Sequence, residues 1–241
     1  MKVAILLYGH MRTYKETIQN NLDYLIKPLN ADVFIHTWND RDMSYGGISF
    51  KEENLEETAI KLYNPKKIIV ENYDDVYINE LIYKIEKYKN KVFGKRARPD
   101  RIVSMLYKVN QVFNMVDNIF EYDIIIKSRP DLFFDRKIEL SDFNIDNINI
   151  PKERDIIPPK AYSNGFLCGY LDNGFISDIF AIAKPQYLKR YMTVYDNLDN
   201  LMNVGNYLDS HILVLNQLKM ENIKINRIDF NFSILRRNPN N

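Results

Sequence analysis

Nearly continuous apolar runs alternate along this chain with stretches in which apolar residues recur every third or fourth position. Val3 to Tyr8 is almost wholly apolar, as expected of a central parallel strand covered on both faces. Gly9-His10-Met11-Arg12 is the turn after it. Thr13-Tyr14-Lys15-Glu16 fits a capping box, with Thr13 as N-cap and Glu16 reaching back. Ile18, Leu22, Leu25 and Ile26 follow at helical spacing, and Pro28 closes the helix. Ala31 to Thr37 predicts a second strand, Trp38 to Phe50 a polar loop, Glu52 to Leu62 a helix and Lys67 to Val70 a third strand. This alternation predicts an α/β fold with a mostly parallel central sheet, right-handed crossovers and helices on both faces.

The pattern continues beyond residue 70. Asp74 to Asn90 reads as a helix with Ile78, Leu81, Ile82 and Ile85 on one face. Lys91 to Arg101 is a basic connector carrying Lys95, Arg96, Arg98 and Arg101, either a solvated face or a phosphate-binding one. Ile102 to Phe120 predicts an amphipathic helix leading into the strand and loop of 122–135. Lys137 to Ile157 holds short apolar pieces between acidic and Asn-rich breaks, and Pro158-Pro159 opens a loop through Gly165. A strand-like piece lies within Asn173 to Ala183. Pro185 begins a helix at its first position, Tyr207 to Leu218 is a further helix, and Ile223 to Ile228 a last strand. The tail from Arg236 to Asn241 reads as frayed. With no repeat and no linker, the 241 residues suit a single domain.

Composition narrows the classes. Lys and Arg total 33 against 32 for Asp and Glu, without the basic excess of a dedicated nucleic-acid binder. The one cysteine, Cys168, cannot form an intrachain disulfide, which points to a reducing compartment. No apolar run approaches the roughly 18 residues of a membrane span, and the N-terminal run is short for a signal peptide and has no small-residue cleavage site. The expectation is a cytoplasmic protein, with peripheral membrane contact left open.

Candidate chemistry concentrates where predicted strands end. In open α/β sheets ligands collect beyond the carboxyl ends of the strands. After Ile124 to Ile126 comes Lys127-Ser128-Arg129-Pro130-Asp131, with Asp135 four residues on: either a salt-bridge cluster at a turn or a site for a metal ion and an anionic, phosphate-bearing substrate. Asp131 is the preferred metal ligand and Asp135 the second, while Lys127 and Arg129 can offset diphosphate charge. At the first turn, Gly9 lets a ligand approach the backbone, and Arg12 reads either as a phosphate ligand or as a surface arginine. His36 and Trp38 end the second strand and can hold a base or sugar, although a lone histidine is often structural. Asp40-Arg41-Asp42 is the only literal D-x-D, in a loop. Further along, Asp178 precedes an apolar strand as a candidate base, Asp209 is a candidate base or a helix cap, and His211 is a candidate metal ligand or catalytic group.

Four pieces in order carry a resemblance: Gly9-x-x-Arg12, Asp32 through Trp38, the Tyr107-containing helix, and Tyr122-Asp123 through Arg129-Pro130-Asp131-Leu132. Together they resemble the GT-A-like glycosyltransferases of surface-polysaccharide (capsule, lipopolysaccharide) synthesis, over roughly the first 135 residues. The resemblance implies a Rossmann-like GT-A fold with a nucleotide-sugar-binding half at about 1–135 and an acceptor half at about 136–241. It further implies a nucleotide-sugar donor, a glycan or lipid-linked glycan acceptor, and Mn²⁺ or Mg²⁺ bridging the donor diphosphate. By position, the resemblance implies that Arg12 contacts the donor, Asp131 takes the metal-binding role and Asp178 is an acceptor-side residue or the base. Residues 131 to 133 read Asp-Leu-Phe, so the strict D-x-D is missing and metal dependence is open. A sugar nucleotidyltransferase and a non-catalytic nucleotide- or carbohydrate-binding protein are the alternatives. The first typically has a Gly-richer phosphate loop than Gly9-His10-Met11-Arg12.

Overall fold

The computed structural model describes residues 1–43, 49–92, 98–152 and 176–235, without the side chains of 41–43, 49 and 50. Cys168, Lys95, Arg96, the 158–165 loop, the 236–241 tail and the side chains of Arg41 and Asp42 therefore lie outside the described residues.

Eleven strands are described: β1 (Val3–Gly9), β2 (Asp32–Trp38), β3 (Asp40–Met43), β4 (Ser49–Lys51), β5 (Lys67–Glu71), β6 (Ile124–Ser128), β7 (Leu132–Phe134), β8 (Ile148–Pro151), β9 (Ala181–Ala183), β10 (Ile225–Ile228) and β11 (Phe232–Ile234). Seven of them form one sheet in the order β10-β8-β9-β6-β1-β2-β5. β6, β1, β2 and β5 pair in parallel, as do β10 and β8. β9 runs antiparallel to both of its neighbours. Strands from the first and last thirds of the chain thus share this sheet.

The sheet is covered on both faces because its central strands are apolar on both. No side chain from Val3 to Tyr8 is more than 3% exposed, and burying each large aliphatic one contributes about 1.5–3 kcal/mol. Ala4, Leu6, Phe34 and Ile125 pack with helices α4 (Pro99–Asn114), α5 (Pro185–Met192), α6 (Leu198–Asn203) and α7 (Ser210–Met220). Ile5, Leu7, Ile35 and Ile126 pack on the other side with α1 (Tyr14–Asn21) and α2 (Leu55–Tyr63). A further helical segment runs from Tyr73 through a π turn into α3 (Ile82–Tyr88).

Several boundaries differ from the sequence reading, each for a local reason. Thr13 does not cap α1 with its side chain, because its hydroxyl donates to the Leu235 carbonyl at 2.7 Å. After α1 the chain passes through a π turn at Leu22–Ile26, and Pro28 sits inside the last turn rather than ending it. The expected 38–50 loop contains the β3–β4 hairpin. Helix α4 starts at Pro99, using proline at its first position, and stops at Asn114, well short of Phe120. Asn118, soon after, is left-handed.

Candidate active site

The carboxyl ends of β1, β2, β5 and β6 lie on one edge of the sheet. The register Gly9↔Thr37, Trp38↔Glu71 and Leu7↔Ser128 fixes this. Because β9 runs antiparallel, the residues before it arrive at the same edge, Lys127 pairing with Ala181. A cleft of about 140 Å³ opens there, and its walls include Gly9, Arg12, Trp38, Arg129 and Asp178. Tyr8, His10, Tyr73 and the first turns of α4, including Arg98 and Arg101, complete it. The side chains bordering the cleft thus include four arginines from two opposing walls.

The first turn of the cleft is conformationally costly. Gly9 has φ +85° and Arg12 φ +50°. A Cβ on Gly9 would meet nothing within 4 Å, so the glycine answers to backbone conformation and not to space. Among the described residues with positive φ that are not glycine, Arg12 stands beside four asparagines. Asparagine tolerates this region, whereas arginine does not. Strain of this kind persists where surrounding structure enforces it, and it gathers at functional sites.

Arg12 meets Arg129 at one carboxylate. Asp131, completely buried, accepts from Arg129 Nε on Oδ1 at 2.9 Å and from both Arg129 Nη2 and Arg12 Nη1 on Oδ2, the latter at 3.3 Å. The arginine side chains keep 22% and 16% of their surface exposed toward the cleft. Burial alone would weaken the charge on Arg129, but Asp131 beside it raises its pKa further. The Arg129–Asp131 segment is held from behind by α1. Thr17 donates to the Pro130 carbonyl at 2.5 Å, Asn21 to Leu132 O at 3.3 Å, and Asn20 exchanges two hydrogen bonds with Phe134. Leu235 N donates to Asp131 O at 2.9 Å next to the β7–β11 pairing.

Lys127 stands below the cleft, not in it. It is fully buried, donates to Tyr8 Oη at 2.8 Å and to the Asp178 carbonyl, and so ties two cleft residues together. Burial pushes its ammonium down to about 7, with Asp178 opposing. Burial and the nearby Asp178 raise the Tyr8 hydroxyl, which stays protonated and donates to Asp178 O at 2.7 Å. The Asp178 carboxylate accepts from Ser210 Oγ at 2.6 Å, and His211 Nε2 lies 3.9 Å away. Burial would raise its pKa, but His211, Lys127 and Ser210 bring it below the ordinary value, so Asp178 is ionised.

Other candidates sit elsewhere. His36 is 2% exposed and faces α4, where its Nδ1 lies 3.1 Å from Lys108 Nζ. Burial and the Lys108 charge push its pKa down to about 3, which makes it a neutral acceptor inside the core. Lys108 also donates to Glu71 at 2.7 Å and to Thr37 O at 2.8 Å. Trp38 reaches the cleft, but Lys108 Nζ is 3.5 Å from its ring centroid and Tyr107 stacks on it at 6.0 Å. It therefore serves as a wall and not as an open stacking platform.

The groups named for a divalent cation do not assemble. Asp131 is engaged by two guanidiniums. Asp135 is exposed beyond β7, and four residues of extended chain place it roughly 13 Å further on. His211 accompanies Asp178, and its Nδ1 lies against the Ile176 carbonyl. Asp209 caps α7, accepting from His211 N at 3.0 Å and Ile212 N at 3.1 Å. Among the described residues no three His, Cys, Asp or Glu side chains gather as a metal site. Also among the described residues, no helix is long and apolar enough to cross a membrane. The basic run of the sequence reading brings Arg98 and Arg101 to the cleft, whereas Tyr8, His10, Tyr73, Asp100, Ser104 and Met105 were not named as site residues. Pro99, a strong helix-start signal, was the available clue to the α4 residues among them.

No protein-family model and no curated protein matches the chain. Among solved structures it is similar to apo mouse xyloside xylosyltransferase 1, with 13% identity and TM-score 0.47 over 95% of this chain and 84% of that one. It is similar to apo glycosyltransferase GlyE of Streptococcus pneumoniae, with 10% identity and TM-score 0.42 over 94% and 45%. An active-site mutant of LgtC gives 11% identity and TM-score 0.45 over 90% and 70%. At these scores the likeness assigns no activity, and the case for one rests on the cleft itself.

Proposed function

We propose that the protein is a glycosyltransferase that moves a sugar from a nucleotide-sugar donor to a glycan or lipid-linked glycan acceptor. The single observation that carries this reading is the pairing of Arg12 and Arg129 on a cleft at the carboxyl edge of a parallel sheet, with Asp178 on the same cleft. Ligands of open α/β sheets bind at this edge, and guanidiniums suit the oxygens of a diphosphate.

The reaction balances simply. The acceptor hydroxyl oxygen forms a bond to the anomeric carbon. The bond from that carbon to the diphosphate oxygen breaks, and its electron pair leaves with the nucleoside diphosphate. The acceptor proton passes to the Asp178 carboxylate, which is ionised and therefore able to take it. Surface-polysaccharide synthesis, as the sequence resemblance implies, is the proposed setting. The domain division of about 1–135 for the donor and 136–241 for the acceptor belongs to the same proposal. The test is incubation with a panel of UDP-, GDP-, CMP- and dTDP-sugars, reading nucleotide release by chromatography. Release from one donor that is lost in Asp178→Asn is expected. A panel without release and without nucleotide binding refutes the reading.

A further inference from the structure

The arrangement around Asp131 goes against the divalent cation that the sequence resemblance implies. A carboxylate that ligates Mg²⁺ or Mn²⁺ must turn a lone pair to the ion at close range, and it does so best with other oxygen or imidazole ligands around it. Here both Asp131 oxygens accept from guanidiniums, Oδ1 from Arg129 and Oδ2 from Arg129 and Arg12. The positions two residues to either side of Asp131, where the other carboxylate of a D-x-D would stand, are Arg129 and Phe133. A divalent cation on this carboxylate would have to enter between two fixed positive charges in a partly buried place.

The same residues suit an anion. Two guanidiniums converge on one carboxylate, and both arginines border the cleft with part of their side chains exposed. Asp131 fixes the direction of both guanidiniums by ionic hydrogen bonds, and it is itself held by a rigid backing, since α1 and the Leu235 N–H pin the 130–134 backbone. The strained Arg12 backbone belongs to the same device. On the α4 side of the cleft, Arg98 is paired with Asp100 at 2.8 Å.

We propose that Arg12 and Arg129, oriented by Asp131, hold the donor diphosphate and meet the charge that develops on it, so that binding and transfer proceed without a divalent cation. This inference rests on the glycosyltransferase reading of the cleft. When the bond from the anomeric carbon to the diphosphate breaks, the electron pair moves onto an oxygen facing these guanidiniums. Fixed donors aimed where charge grows act without reorganisation. Asp131 is a positioning residue in this scheme, because it acts through the arginines.

The experiment measures binding of UDP, GDP, CDP, dTDP, ADP and inorganic pyrophosphate by calorimetry, each with EDTA and each with Mn²⁺. One nucleoside diphosphate is expected to bind with the same affinity in both conditions. Arg12→Gln and Arg129→Gln should each weaken it by roughly 10- to 100-fold, the size of a lost charge-assisted hydrogen bond. Arg129→Lys keeps the charge but not the fork, and should fall between. Arg12→Gln leaves the Arg129–Asp131 pair intact, so it remains informative if Arg129→Gln fails to fold. Binding that requires Mn²⁺, or that survives both Gln variants, overturns the inference while the glycosyltransferase reading stands. No nucleoside diphosphate binding in either condition overturns that reading itself.

Discussion

Replacing Arg12 by glycine separates the stability of the first turn from its use. Arg12 sits at φ +50°, a conformation that costs an L-residue about 1–2 kcal/mol. Glycine escapes that strain but loses about 0.5–1 kcal/mol through the greater freedom of its unfolded chain. The variant also loses the 3.3 Å bond to Asp131, a long charge-assisted contact worth about 1.5 kcal/mol. Asp131 remains paired through Arg129 at two points, so no buried charge is orphaned. These effects nearly cancel, and the net change is about 1 kcal/mol or less, a Tm shift within about 4 °C for a chain of this size. Diphosphate affinity should fall far more, by roughly 10- to 150-fold, because one guanidinium contact of about 1.5–3 kcal/mol is removed. Calorimetric titration and a thermal melt on the same preparation read both quantities. A melt lowered by more than about 10 °C with a proportionate loss of binding would make Arg12 structural. Unchanged affinity would remove it from the site.

Other perturbations test the surrounding framework. Lys127 has its pKa pushed from 10.5 to about 7 by burial, so between those pH values the unfolded chain binds a proton that the folded one does not. Stability from this residue is therefore complete above pH 10.5 and lost as pH falls through about 7; denaturant midpoints at pH 7 and 9 should differ more in wild type than in Lys127→Met. Lys108→Met removes the 2.7 Å partner of Glu71, which is a quarter exposed and keeps Tyr107 Oη at 3.0 Å, and should cost about 1–3 kcal/mol. Adding Glu71→Met should recover most of that loss, and urea titration of the single and double variants checks it. Thr17→Val removes the shorter of two side-chain hydrogen bonds to the Pro130 carbonyl, Asn21 keeping the other at 3.4 Å, and should cost about 1 kcal/mol. Because that bond backs the Arg129–Asp131 turn, nucleotide affinity should fall with it; unaltered affinity would show that the turn holds without Thr17.

The central strands were legible because burial on both faces leaves little choice of residue. Val3 to Tyr8 and Ile124 to Ile126 are apolar without alternation, and both are sheet interior. Pieces whose pairing is long-range and short were not. Phe232–Ile234 is three residues long and exists as a strand through Leu132–Phe134, about a hundred positions earlier. The hairpin of Asp40–Met43 and Ser49–Lys51 is polar and short, with no two-residue period strong enough to separate it from a loop. Helix α6 is six residues long and holds little periodicity.

The site was legible as a place but not as a set of partners, and α1 explains why. Its apolar residues gave the helix its face, while Thr17, Asn20 and Asn21 are polar and carry no signal of the apolar period. All three are buried, and each spends a donor on the backbone between Pro130 and Phe134. Polar residues in the middle of a helix compete with it locally, so a cluster of them persists where something outside the helix takes their hydrogen bonds. Here that is the turn carrying Arg129 and Asp131, which presents carbonyls that a regular strand would have paired. His36 inverts this logic. A histidine at a strand end suggested a ligand, yet the alternation of β2 turns it to the face covered by α4, where Lys108 supplies the partner. Parity puts His36 and Trp38 on the same face, and distance along the strand decides between them: Trp38, two residues nearer the carboxyl edge, borders the cleft, while His36 stays under α4.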